Sequence, residues 1–126
     1  MKIILANSTT EVEVYQVIGE LKYVNNQNRD SLTFSLPATY SLEEVDAMFS
    51  ESACESIKLI DTDGEYIHKG YTIRVEIKKQ SVEVEPETSE TEAVMEDRIF
   101  VTMAQRTYME SKVTELESVM NTVLGV

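Results

Sequence analysis

Cys54 and His68 are the one thiol and the one imidazole of the chain, so any cysteine–histidine nucleophilic pair would be built from these two. Such a pair needs the imidazole to take the thiol proton, a third group to orient the ring, and an oxyanion pocket. No local signature of an orienting group or of an oxyanion pocket accompanies either residue. Cys54 follows a predicted helix between apolar segments and reads as a small buried residue. His68 reads as a strand residue near a turn. Asp61, Asp63 and Gly64 carry part of a calcium-loop pattern, but that site needs alternating oxygen ligands, a bidentate acid twelve positions from its start and flanking helices. Here the acid spacing fails and the flanks read as strands, so the segment is expected to be a hairpin turn. Glu85 and Glu87 could share acid–base work only inside a pocket, and they fall in a polar, solvated stretch. Gly19, Gly64, Gly70 and Gly125 form neither a phosphate-cradling loop nor a dinucleotide fingerprint. The expectation is a protein that is not an enzyme, with no catalytic residues, no metal site and no cofactor.

The elements around these residues read mostly as strands. Residues 2–5 and 11–17 are rich in β-branched side chains and predict a hairpin across the ANSTT link. Leu21 and Tyr23, then Leu32, Phe34 and Leu36, keep a period of two on either side of NNQN, which predicts a second hairpin closed by Pro37. Ser41 and Glu44 have capping-box spacing, predicting a helix over 42–50 with Leu42, Val45, Met48 and Phe49 on its inner face, laid over one face of the sheet. Residues 57–60 and 66–68 flank the DTDG turn. The run GYTIRVEIKK alternates Tyr71, Ile73, Val75 and Ile77 against polar residues, and the parity change at Val82 and Val84 predicts a bulge or turn over 79–81. Residues 98–107 predict a strand returning antiparallel to 71–84.

With 126 residues the chain has room for one core. Its net charge is −12, which disfavours direct binding to nucleic acid or an anionic membrane. Seven acids and no lysine or arginine fall between Glu83 and Asp97, so a flexible acidic loop is expected near 85–97. A single cysteine excludes an intrachain disulfide. The apolar run 3–6 is too short for a signal-peptide core, and no stretch approaches a membrane span. The Asn7–Ser8–Thr9 acceptor pattern then reads as a polar turn.

The contact-forming residues are expected at the end of the chain. Met109, Val113, Leu116, Met120 and Val123 alternate steps of four and three, the spacing by which helices zip together. About two heptads make an isolated helix marginal in water, so this one must pack on its own sheet or on a copy of itself. The expected fold class is α+β: a mostly antiparallel β-sheet domain over 1–106 with one covering helix, followed by a short C-terminal amphipathic helix over 107–126 for oligomerisation or docking.

The runs NRDSLTFSLPATYSLEEVDAMFSE, ESIKLIDTDGEYIHKGYTIRVEIKK and RIFVTMAQRTYMESKVTELE together resemble small uncharacterised tail-region proteins of phages and prophages of Gram-positive bacteria. The resemblance rests on layout and carries no catalytic residues. It implies a structural protein, a part of a tail or baseplate, in the bacterial cytoplasm or the virion. Its expected partners are copies of itself and other assembly proteins. Two other classes compete with this expectation. An acidic inhibitor could imitate nucleic acid toward a DNA-binding protein, and a small hydrolase would need a cleft joining His68 to a carboxylate.

Overall fold

The computed structural model describes residues 1–107, 110, 112, 113, 116 and 117. Two four-stranded antiparallel sheets and one short helix enclose a single core. The strands are β1 (Lys2–Leu5), β2 (Glu11–Glu13), β3 (Gln16–Val24), β4 (Gln27–Pro37), β5 (Ser56–Asp61), β6 (Gly64–Lys69), β7 (Ile73–Glu85) and β8 (Val94–Ala104). Helix α1 (Leu42–Met48) and a 3-10 turn (Ala53–Glu55) lie between β4 and β5. One sheet has the order β2-β1-β5-β6 and the other β3-β4-β8-β7. Among the described residues no helix is long and apolar enough to cross a membrane.

The period of two decides which side chains meet. Ile3, Leu5, Val12 and Ile57 from the first sheet pack with Leu32, Phe34, Leu36, Ile99, Val101 and Met103 from the second. Helix α1 adds Val45 and its C-cap residue adds Phe49, whose ring lies 5.1 Å from that of Phe34. Burying each such side chain is worth about 1.5–3 kcal/mol, so this shared cluster is what holds the two sheets and the helix together. Ser41 caps α1 by accepting from the Glu44 N–H at 3.1 Å. Its last carbonyls are held from another element: Arg74 on β7 donates to Asp46 O at 3.1 Å and Phe49 O at 2.8 Å, and pairs with the Asp46 carboxylate at 2.6 Å. A guanidinium at a helix C-terminus satisfies free carbonyls and opposes the helix dipole.

Several boundaries differ from the expected ones. Residues 11–17 do not form one strand: β2 ends at Glu13 and β3 starts at Gln16 in the other sheet, so the chain changes sheets at Val14 and Tyr15. Leu42 is 43% exposed and does not join the inner face of α1. The first irregularity in β7 sits at Val75, between Arg74 and Glu76, and the register is regular through 79–81. That bulge turns Val75 outward and Arg74 toward Met103 and the end of α1. A second irregularity falls later, at Val84 between Glu83 and Glu85, past the stretch where β8 also pairs with β4. Strands also enter the expected acidic loop, leaving only 86–93 as the connection.

Candidate functional site

The described residues of the C-terminal segment leave the sheet through a root built from both layers. Gln105 N–H donates to Asp30 O at 2.8 Å and Arg106 N–H to Gly70 O at 2.8 Å. The Gln105 side chain donates to Lys69 O at 2.9 Å, and Arg106 pairs with Glu55, the last residue of the 3-10 turn, at 2.7 Å. Gly70 reaches Arg106 with φ +79°, a left-handed conformation that an L side chain adopts only at a cost. Three separate segments, at Asp30, at Glu55 and at Lys69 with Gly70, thus fix the two residues Gln105 and Arg106 ahead of the next turn of chain.

That next turn opens with a reciprocal cap. Thr107 Oγ1 accepts from Glu110 N–H at 3.2 Å, and the Glu110 carboxylate accepts from Thr107 N–H at 2.8 Å. This is a capping box, and it satisfies two backbone donors that a helix start leaves free. The same carboxylate takes a two-pronged contact from Arg29, with Nη1 on Oε1 and Nη2 on Oε2, the latter at 3.2 Å. Arg29 lies on β4 with only 2% of its side chain exposed. Its other donors go to Val24 O at 2.9 Å and Gln105 O at 3.2 Å. The β3–β4 turn that brings Val24 within reach runs through Asn25 and Asn26 at φ +50° and +66°, the left-handed pair that tight hairpins use. Hydrogen bonds from Arg29, followed by that from the Thr107 N–H, hold the Glu110 carboxyl down at about 2. The pair is therefore ionised at any ordinary pH.

Glu110, Lys112, Val113, Leu116 and Glu117 have helical backbone. Of the five expected interface residues, Val113 is 50% exposed and Leu116 62% exposed, so neither is buried against the sheets. Met109, Met120 and Val123 lie outside the described residues. The spacing of Thr107 and Glu110 carries the same signature as Ser41 and Glu44 and marks this start in the sequence. Arg29 carries no such signal, because its partner is 81 residues away.

The residues considered for chemistry are not brought together. Cys54 is fully buried, and burial pushes its thiol up to about 12, leaving no thiolate to act as a nucleophile or ligand. His68 stacks edge-on with Tyr71, ring centroids 5.8 Å apart. Asp61 and Gly64 pair across the β5–β6 turn, where Asp61 Oδ1 accepts from Thr62 N–H at 2.7 Å. Among the described residues no three His, Cys, Asp or Glu side chains converge as a metal site would require. Comparison with protein-family models, curated proteins and solved structures finds no match to this chain.

Proposed function

We propose that this is a non-enzymatic structural or assembly protein that self-associates through a C-terminal amphipathic helix, as a tail or baseplate component of a phage or prophage would. The observation that carries this reading is the contrast at the root. The start of the segment is clamped by Arg29, Thr107 and Glu110, yet Val113 and Leu116 beyond it present 50% and 62% of their surface to water. A helix fixed at its base with Val113 and Leu116 uncovered suits packing on a copy of itself better than packing on its own sheets. Met109, Met120 and Val123 would continue the same seam at its four-and-three spacing.

The test is solution mass by light scattering for the full chain and for the Val113→Glu/Leu116→Glu variant. The expected result is an oligomer for the first and a folded monomer for the second, with unchanged thermal unfolding of the sheet domain. A monomeric full chain, or a variant that keeps its oligomeric mass, overturns the reading.

A further inference from the structure

β7 and β8 continue past the sheet to which they belong. β8 pairs with β4 only over 98–104, so 94–97 and the opposing 81–85 pair with each other alone. The four β8 residues at about 3.3 Å each carry this two-stranded arm roughly 13 Å beyond the neighbouring strand. Such a ribbon is marginal by itself in water, and here its root is braced. The Arg98 guanidinium lies 3.9 Å over the Tyr15 ring and pairs with Glu96 at 2.9 Å, while Tyr15 Oη donates to the same carboxylate at 3.4 Å. At the tip, Thr88 and Thr91 close the loop through a 2.7 Å hydroxyl contact and a 2.9 Å backbone hydrogen bond.

Past the brace the arm shows two kinds of side chain to water. Val84, Val94 and Met95 are 40%, 44% and 55% exposed. Around them Glu83, Glu85, Glu87, Glu90 and Glu92 carry charge that no ion pair among the described residues neutralises. We propose that this arm docks in a groove of a partner protein that sets lysine or arginine side chains at the rim of apolar walls and so meets both faces of the ribbon, since Val94 and Met95, consecutive on β8, point to opposite faces. The valines and the methionine have no core to enter and need apolar groups opposite them. The carboxylates need cations at the rim, where complementary charge sets encounter rate and specificity. The arm of a second copy supplies the wrong charge, since it repeats the same acids with no lysine or arginine between Glu83 and Asp97. A pure imitation of a phosphate backbone would have no use for the apolar side chains between the acids.

The experiment titrates the ¹⁵N-labelled full chain with two twelve-residue peptides of equal charge, one alternating lysine with valine and the other lysine with serine. The expected result is at least about tenfold tighter binding of the valine peptide, with amide shifts confined to 81–97. Val94→Ser/Met95→Ser, at exposed positions, should remove that preference while leaving the weaker binding of the serine peptide. Glu83→Gln/Glu85→Gln should weaken both. Binding of the valine peptide should persist near 1 M salt, where the screening length is only about 3 Å. Equal affinity for the two peptides means charge attraction alone and overturns the proposal, as does an absence of binding or a shift pattern centred elsewhere. A change in solution mass on Val94→Ser/Met95→Ser would assign the arm to a second copy and overturn it as well.

Discussion

Replacing Glu110 by glutamine keeps the size of the side chain but removes its charge and turns one of its two acceptor oxygens into an NH2 donor. Arg29 would then retain Val24 O and Gln105 O but lose its counter-charge, with its guanidinium still buried. The fall of the Glu110 carboxyl from an ordinary 4.5 to about 2 sets a ceiling near 3 kcal/mol on what ionisation contributes. Glu110 is 41% exposed, so solvent screening reduces this to about 1 kcal/mol. Because the folded value is depressed, the contribution is complete above the unfolded value near 4.5 and disappears as pH falls through about 2. Urea unfolding of the wild type and Glu110→Gln from pH 7 to pH 2 measures it. The expected gap is about 1 kcal/mol at neutral pH, closing to nothing at the acid end. In a double-mutant cycle with Arg29→Met, the larger part of the gap should belong to the pair and the remainder to the Thr107 hydrogen bonds. A gap independent of pH, or equally large in the Arg29→Met background, refutes the reasoning.

Other positions give sharper or blunter outcomes. Arg74→Met should cost about 1–2 kcal/mol in urea unfolding, because two carbonyls at the end of α1 lose their donor. Phe49→Ala should cost about 3–5 kcal/mol, since it opens a cavity beside Phe34 where two sheets and the helix meet. Cys54 should resist a disulfide reagent at pH 8 in the folded protein and react only as fast as the chain unfolds, its thiol being held near 12 by burial. Reaction at the rate of a free thiol would contradict that burial.

The sequence made legible whatever depends on near neighbours. Ser41 and Glu44 announce the start of α1, the asparagine pair marks the β3–β4 turn, and the alternation of Leu32, Phe34 and Leu36 marks a buried strand face. Hidden were the features that distant segments decide. Residues 11–17 look like one strand because their side chains alternate, and only the pairing of β1 with β2 and of β3 with β4 divides them between two sheets. The acidic segment reads as loop because it has little to bury, yet 94–97 form a strand because β7 supplies backbone partners whatever the side chains are. Arg29 gives no local sign of its role, which exists only once the fold sets β4 beside the start of the C-terminal segment.

The two proposed contact surfaces belong to one strand. β8 lies between β4 and β7, with the acidic arm continuing from its first residues and the clamped segment following its last. Seven residues, 98–104, separate the exits, about 23 Å of extended chain embedded between two neighbouring strands. At that distance and without shared side chains, substitutions at the two ends should act independently. Val94→Ser/Met95→Ser should therefore leave the oligomeric mass unchanged, Val113→Glu/Leu116→Glu should leave the affinity for the lysine–valine peptide unchanged, and the combined variant should show both losses without excess. Peptide affinity that falls when the helix residues are changed would mean that the arm acts only in the assembled protein. The two surfaces would then form one composite interface between copies, with the charge of the arm met by a cation of the neighbouring chain.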